Sequence, residues 1–241
     1  MKISIVVPAF NEEKLIVRSL QSIRLAATAF LQIGWEYEII VCDNNSSDRT
    51  GEFARAQGAH VLFEAVNQIS RARNTGAATA HGEWLVFVDA DSFPSPELFT
   101  EMATLMQTGR CIGGGATVEL DQPVLWAIGF VGLWNCLSRW QRWMAGSFIF
   151  CEARAFRKLG GFSHELFVAE EIDFSKRLNE LARLRGQQVS ILHRQPLKTS
   201  ARKIHLYSGR EYILFLLRSL LGLGRTFKDR KACGPWYDGR R

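Results

Sequence analysis

The sequence predicts an α/β protein with a mostly parallel central sheet flanked by helices. Short runs of β-branched, aliphatic and aromatic residues have strand length and lack polar alternation, which is typical of strands buried on both faces. Segments with helical spacing lie between these runs, and this alternation favours parallel strands joined by crossover helices. With 241 residues, 47% hydrophobic and 22% charged, the chain has the composition of a globular protein and fits one domain.

Four strands and four helices are predicted before residue 110. The predicted strands are residues 3–7, 38–42, 60–63 and 84–88. The first three helices are marked by apolar residues in the stretches Leu15 to Ile23, Phe53 to Ala56 and Ala72 to Ala80. The fourth is predicted over residues 96–107, because Ser95 is a suitable N-cap and Pro96 falls in the first turn.

The charge distribution leaves several kinds of partner open. The formal net charge is +6 with a pI near 9.2, and much of the basic excess follows residue 176. Such an excess suits nucleic acid, anionic lipid or a phosphate-bearing substrate. The first half has no clear basic face or base-stacking motif, so binding of nucleic acid is not expected.

We expect the protein in the cytoplasm, with contact to the inner face of the membrane left open. The five cysteines are odd in number and form no C-x-x-C pair, which argues against a disulfide framework or a zinc site. Pro8 and the acidic residues after it interrupt the apolar N-terminal run, so no secretory leader is expected. The longest other apolar stretches, residues 124–137 and 212–223, are shorter than a membrane span.

Asp89 and Asp91 are the sharpest site candidates. They follow the strand at residues 84–88, and residues two apart in an extended segment point to the same side, so both carboxylates can face one cleft at the end of the strand. Asp91 is expected there as a surface carboxylate. Open α/β sheets bind ligands at the carboxyl ends of their strands, where two carboxylates can hold Mg²⁺ or Mn²⁺. Such a cation offsets the charge of a diphosphate leaving group. Two solvated acids at a strand end give the same D-x-D pattern, and that alternative stays open.

Polar clusters also follow the first two strands. PAFNEE begins at Pro8 and DNNSSD begins at Asp43. In a parallel sheet these clusters converge with the acidic pair on one crevice, where Asp43 can accept hydrogen bonds from a base or a ribose. Turn chemistry is the alternative, because Asn, Ser and Asp are common in loops, and for Ser47 and Asp48 a helix cap is preferred.

Five pieces of the sequence occur in the order and with the spacing of a known family. They are VVPAFNEE, VCDNNSSDRT, SRARNTGAATAHGEWLVFVDAD, GSFIFCEARAFRKLGGF and AEEIDFSKRL. Together they resemble the large inverting glycosyltransferase family of the family-2 type with the GT-A fold, over roughly residues 3–203. The resemblance implies a nucleoside-diphosphate sugar as donor, a divalent cation, Mn²⁺ or Mg²⁺, as cofactor, and one-step displacement with inversion at the anomeric carbon.

The resemblance also implies roles for single residues. The residues implied to border or bind the donor are Pro8, Phe10, Glu12, Asp43, Arg73 and Asp89. Asp91 is the implied metal ligand, and Asp89 faces the ribose or the metal. Arg73 is preferred to Arg71 because it stands beside Asn74 in the R-x-R-N piece, and residues two apart on a helix face different directions.

Residues 193–203 form a polar, basic segment that contains Pro196. It is predicted to be a loop that closes over the donor phosphates, with Arg202 or Lys203 neutralising the leaving diphosphate. His193 is a candidate further metal ligand, although a lone histidine at a strand end is more often structural.

Glu170, Glu171 and Asp173 are the candidate catalytic acids. Inverting transfer requires a carboxylate that removes the acceptor's proton as the anomeric carbon is attacked. The family usually carries Glu-Asp-x-Asp here, with the Asp of the Glu-Asp pair as base, and Glu171 occupies that position. Glu170 and Asp173 are alternatives, and an acidic helix N-terminus favoured by the helix dipole explains the cluster without catalysis.

The resemblance implies one GT-A catalytic domain over residues 1–203. Its nucleotide-binding half is predicted over 1–110 and its acceptor half over 111–203. Residues 204–241 are interpreted as an amphipathic, basic C-terminal tail, helical in part, that lies on a membrane surface or packs on the domain. The four tryptophans between residues 126 and 143 suit core packing, an acceptor platform or interfacial anchoring, and contact with a lipid-linked or membrane-proximal acceptor is favoured.

Two other functions are compared with transfer of a sugar. A nucleotidyltransferase typically has a glycine-rich, basic loop after its first strand, where this chain has the acidic PAFNEE. A non-catalytic protein that binds sugar nucleotides or a membrane surface is the other alternative, because the Glu-Glu pair departs from the family's Glu-Asp. A dinucleotide-dependent oxidoreductase is not expected, since no G-x-G-x-x-G follows the first strand.

Overall fold

The computed structural model describes residues 1–202 and residue 228. The strands of this part are β1 Lys2–Ala9, β2 Glu36–Asp43, β3 His60–Phe63, β4 Trp84–Val88, β5 Ser92–Phe93, β6 Cys111–Leu120, β7 Phe148–Glu152 and β8 Gln188–Thr199. The helices are α1 Ile16–Leu31, α2 Thr50–Ala56, α3 Ile69–Ala78, α4 Pro96–Gln107, α5 Leu125–Gln141, α6 Ala153–Lys158 and α7 Glu170–Leu184.

The mostly parallel sheet is confirmed. The strands follow the order β3-β2-β1-β4-β7-β6-β8-β5, and β1 pairs in parallel with both β2 and β4. β7 is antiparallel to its neighbours β4 and β6, whereas β6 and β8 are parallel to each other. The carboxyl ends of β1, β2 and β4 therefore meet at one edge of the sheet, which is where the polar clusters begin.

The predicted strands lie within β1 and β2 and coincide with β3 and β4. α4 begins where its cap predicts, because Ser95 Oγ accepts a hydrogen bond of 3.2 Å from the N–H of Leu98 and Pro96 opens the helix. α3 begins at Ile69, three residues before the predicted stretch. The prediction is based on buried apolar residues, and the first of these in α3 is Ala72, so it does not include the turn before it.

Two apolar clusters cover the two faces of the sheet. One contains the stacked rings of Phe30 from α1 and Phe99 from α4, with centroids 5.1 Å apart. The other contains Phe162, which lies in the segment before α7. Its ring centroid is 5.1 Å from that of Phe87 on β4 and 4.8 Å from that of Phe174 on α7. The second cluster fixes the end of β4 relative to the start of α7, and these two places carry the candidate acids.

The sheet continues past residue 110, where the regular alternation ends. β6 begins at Cys111 and carries Gly113 to Gly115 within the strand. A Cβ at Gly114 would collide with the carbonyl oxygen of Ser190, and one at Gly113 would lie 2.6 Å from the carbonyl oxygen of Phe150. These glycines let β7 and β8 approach β6 closely.

The expectation that residues 193–203 form a loop is wrong for most of the segment, because β8 extends to Thr199. Residues 197–199 pair with residues 118–120 of β6, after a register shift between Ala116 and Val118. Pro196 lies at this irregularity, where a strand tolerates a residue without an N–H donor. The proline marks a bulge instead of the end of a strand.

The predicted tail lies outside the described residues except for Lys228, whose Nζ is 2.7 Å from Glu165 Oε2. Lys203 lies outside them as well. In the part of the chain that the structure covers, no helix is both long and apolar enough to cross a membrane.

Candidate functional site

The loops after β1 and β2 are bonded to each other, which confirms that their polar clusters converge. The N–H of Asn11 donates to Ser46 Oγ at 3.0 Å, and the N–H of Ser47 donates to Asn11 Oδ1 at 2.8 Å. Asp48 Oδ2 accepts from the N–H of Glu13 at 3.1 Å. Asp48 also accepts from the N–H of Thr50, the first residue of α2, so its side chain joins the two loops at the start of that helix. The N-cap position is Arg49, one residue after Asp48, and it makes no side-chain cap bond, so the cap predicted at Ser47 or Asp48 is not in that position.

Asp43 stands at the end of β2, where the second of these loops begins. Its Oδ1 accepts a hydrogen bond of 3.0 Å from the N–H of Ser46, so the turn chemistry weighed from the sequence is present. Gly51 at the start of α2 approaches the same side chain, because a Cβ there would lie 2.8 Å from Asp43 Oδ2. The contact of Asp43 with a base stays a prediction.

Glu12 and Arg202 contact each other. Arg202 Nη2 lies 2.8 Å from Oε1 and 2.6 Å from Oε2 of Glu12, which is buried. Arg202 Nε and Nη1 are buried and make no hydrogen bond within the described residues. The pair joins the loop after β1 to the end of β8, and the remaining N–H groups of Arg202 suit an anionic ligand.

Asp91 is not a surface carboxylate, and that expectation is wrong. The residue is 4% exposed, and its backbone carbonyl accepts a hydrogen bond of 2.9 Å from the N–H of Ser200, just after β8. The chain beyond β8 therefore covers Asp91. The side chain of Asp89 is about one-fifth exposed, and its Oδ1 accepts from Arg73 Nη2 at 3.1 Å.

Arg73 joins the end of β4 to the start of α7. Its Nη1 donates to Glu170 Oε1 at 2.6 Å, and its Nη2 donates to Asp89 and, at 2.8 Å, to the carbonyl of Gly146. The guanidinium also lies over the ring of Phe162, 5.3 Å from the centroid. Arg73 is 1% exposed and holds two site carboxylates. Its contact with a donor stays a prediction.

Asn74 of the R-x-R-N piece and the nearby Gln68 bind the backbone of the segment before α7. Asn74 Nδ2 donates to the carbonyl of Phe162 at 2.8 Å, and Asn74 Oδ1 accepts from the N–H of the same residue at 2.9 Å. Gln68 Nε2 donates to the carbonyls of His164 and Leu166 at 2.8 Å and 3.0 Å. No sequence pattern indicates Gln68, because its partners are backbone carbonyls almost a hundred residues away.

All three candidate acids lie in the first turn of α7. Glu170 pairs with Arg73, and Asp173 Oδ2 lies 2.7 Å from Arg177 Nη2. Glu171 has no salt-bridge partner among residues 1–202 and 228. Glu171 instead shares a side-chain hydrogen bond with Glu170 and lies within the electrostatic influence of Arg73. It is thus the one of these three acids without a salt bridge to the described residues.

The surroundings of Glu171 raise its affinity for a proton. Burial, together with the negative charge of Glu170, raises the pKa of Glu171 to about 8. Burial also raises the pKa of Glu170, while the positive charge of Arg73 acts in the opposite direction. A carboxylate that takes up a proton near neutral pH has the property required of a general base.

Asp89 and Asp91 remain the predicted ligands of a divalent cation that is bound together with a diphosphate. Across the described residues there is no group of three or more His, Cys, Asp or Glu side chains able to hold a metal ion. Mg²⁺ is commonly held by one or two carboxylates, with phosphate oxygens and water completing its shell. Arg202, two residues beyond Ser200, has N–H groups without a partner among residues 1–202 and 228, and these suit the same diphosphate. His193 is exposed on β8 and belongs to no such group of ligands.

Comparison of the sequence with protein families gives one match that covers most of the chain. Residues 4–157 match the model of glycosyl transferase family 2. The glycosyltransferase AglE of Haloferax volcanii is 34% identical over 128 residues, which are 50% of this chain and 40% of AglE. The matched region thus spans less than half the length of that relative.

Solved structures share the fold at low identity. TarS of S. aureus in complex with UDP-GlcNAc has a TM-score of 0.64 and 21% identity, over 98% of this chain and 69% of that one. The mannosyltransferase PcManGT of Pyrobaculum calidifontis in complex with GDP-Man and Mn²⁺ has a TM-score of 0.67 and 16% identity, over 96% and 64% of the two chains. The eight-stranded sheet with its flanking helices is therefore a GT-A fold.

Proposed function

Because the chain belongs to glycosyl transferase family 2, we propose that it moves a sugar from a nucleoside-diphosphate donor to an acceptor hydroxyl with inversion, in a reaction that needs a divalent cation. The buried Arg73 supports the proposal most strongly, because it binds both Asp89 after β4 and Glu170 at the start of α7. These two contacts support a diphosphate site and a base that lie next to each other.

In the proposed site the donor lies in the crevice between the loops after β1 and β2. Asp43 binds the base or ribose, and Pro8 and Phe10 border the nucleotide. Asp91 and Asp89 hold Mn²⁺ or Mg²⁺, which when bound offsets the charge of the leaving diphosphate. Structures of similar fold that contain GDP-Man with Mn²⁺ or UDP-GlcNAc support a donor and a cation of these classes.

Glu171 is the proposed base. Inversion in one step needs one carboxylate on the acceptor side and forms no covalent intermediate. A single acid without a salt bridge is therefore sufficient. Glu170 positions Arg73, and Asp173 binds Arg177, which leaves Glu171 for the proton of the attacking hydroxyl. The longer side chain of Glu, compared with the Asp usual in the family, seats the acceptor differently.

The raised pKa of Glu171 predicts the pH dependence of the reaction. The base acts in its deprotonated form, so kcat/KM for the donor should rise with pH and level off above about 8, since this parameter reports the free enzyme. Release of nucleoside diphosphate, with water as acceptor, measures the rate across pH 5.5 to 9.5. A plateau already reached at about pH 6 would contradict the assignment of Glu171.

A further inference from the structure

Helix α5 exposes several large apolar side chains, although Val131, Trp134 and Leu137 are half-buried. Ala127 and Ser138 are buried, and Asn135 bonds both the N–H and the carbonyl of Val118 at 2.9 Å. The exposed large apolar residues are Trp126, Ile128, Phe130, Leu133 and Trp140. In a helix that packs on the core of its own domain, the large apolar side chains face the core and the polar ones face solvent. The outer side of α5 therefore carries exposed apolar surface that the described core does not bury.

Three of these residues form a stripe along the helix. Phe130, Leu133 and Trp140 recur at intervals of three and seven residues, which places them on one side of α5, with the half-buried Leu137 between the last two. The rings of Trp126 and Phe130 contact each other edge to face, with centroids 6.0 Å apart. Leu133 is 68% exposed and Trp140 is 77% exposed. Contiguous apolar patches of this kind mark interaction sites in soluble proteins.

The charges around the stripe indicate its partner. α5 contains no acidic residue, and Arg139 in its last turn and Arg142 just after it are both exposed. Lys176 Nζ lies 5.4 Å from the centroid of the Trp143 ring at the same end. A helix with Trp, Phe and Leu on one side and basic residues at its border suits the headgroup region of an anionic membrane. We propose that the outer side of α5 binds an anionic lipid bilayer.

The segment after α5 borders the candidate catalytic site. Residues 142–147 lead from α5 into β7, and within them Gly146 accepts from Arg73 while Ser147 accepts, at 3.2 Å, from the N–H of Asp89. The N–H of Met144 donates to Ser175 Oγ of α7 at 2.9 Å. A bilayer against α5 would present an acceptor hydroxyl carried on a lipid to the start of α7. This link to the acceptor rests on the proposed function, whereas the docking itself does not.

Flotation of the full chain with lipid vesicles tests the docking without donor or acceptor. Vesicles of phosphatidylcholine alone and of phosphatidylcholine with an equal amount of phosphatidylglycerol are compared at low and high salt. The parent should float with the anionic vesicles, less so at high salt. Leu133→Gln combined with Trp140→Gln should lower the partition coefficient roughly tenfold or more, because two apolar contacts are lost.

Leu184→Gln is the matched control, since Leu184 is 71% exposed on α7, away from the stripe. It should float as the parent does. Donor binding by the α5 variant checks that it is folded. Equal flotation of the α5 variant and the control overturns the proposal, and a change in oligomeric state by light scattering with unchanged flotation assigns the stripe to a second copy instead. Either result leaves the proposed transfer reaction untouched.

Discussion

Replacing Glu171 by glutamine should reduce kcat for sugar transfer about a hundredfold or more, the scale expected of a general base. The amide has almost the same shape but cannot accept the acceptor's proton during attack. Affinity for the donor should be retained, because the contacts proposed for the nucleotide and the diphosphate lie on other elements. Steady-state release of nucleoside diphosphate gives the rate, and calorimetry gives the donor affinity.

The neighbouring acids provide the controls for this experiment. Asp173→Asn removes a partly exposed pair with Arg177 and should leave most of the activity. Glu170→Gln weakens the buried contact with Arg73, so its main effect should be on stability. An inactive Asp173→Asn beside an active Glu171→Gln would shift the role of base to Asp173. If all three variants are active, none of these acids is the base, and the cluster is only an acidic helix N-terminus.

Replacing Arg73 by methionine should lower the free energy of unfolding by roughly 3 to 5 kcal/mol, the usual cost of breaking a buried ion pair from one side. The substitution leaves the carboxylate of Glu170 buried without its cation, and it also removes the bond to Asp89. Arg73→Lys should recover only part of the loss, because an ammonium group cannot reach Glu170, Asp89 and Gly146 with a planar fork. Urea unfolding measures both variants.

An exposed ion pair serves as the control that shows whether the loss of stability in Arg73→Met depends on burial. Arg49, just before α2, and Glu52 on α2 form a pair of 2.6 Å in solvent, so Arg49→Met should leave stability almost unchanged. The double variant Arg73→Met with Glu170→Met should regain much of the stability lost in Arg73→Met, since no buried charge is left alone at that contact. Activity should stay low in the double variant, because Asp89 is no longer held. A fully stable Arg73→Met would contradict the role given to this arginine.

Local patterns in the sequence predict the strands and the place of the site. β1 to β4 are continuous apolar runs, and their shared direction brings the residues after β1, β2 and β4 to one edge. The cap at Ser95 depends only on residues within one turn, so its prediction is confirmed. Features that depend on neighbours in sequence are therefore predictable here.

Contacts between distant residues explain what the sequence does not predict. Arg73 and Glu170 are 97 positions apart, and neither residue alone indicates that the pair is buried. Asp91 is covered because Ser200 returns beside it after β8, which contradicts its expected exposure. The basic segment before Ser200 reads as a loop in sequence, whereas its pairing with β6 makes it a strand. In each case the partner on another element decides the outcome.

Binding of nucleoside-diphosphate sugars with and without Mn²⁺ tests most directly the central claim that the acidic pair holds a cation and a diphosphate. Calorimetry with UDP-, GDP- and dTDP-sugars should find at least one that binds the parent in a Mn²⁺-dependent way. Asp91→Asn keeps the shape of the buried side chain, so it should remain folded and lose the Mn²⁺-dependent part of the affinity. Asp91→Asn with unchanged affinity and unchanged Mn²⁺ dependence would contradict the account, as would a parent that binds none of these sugars.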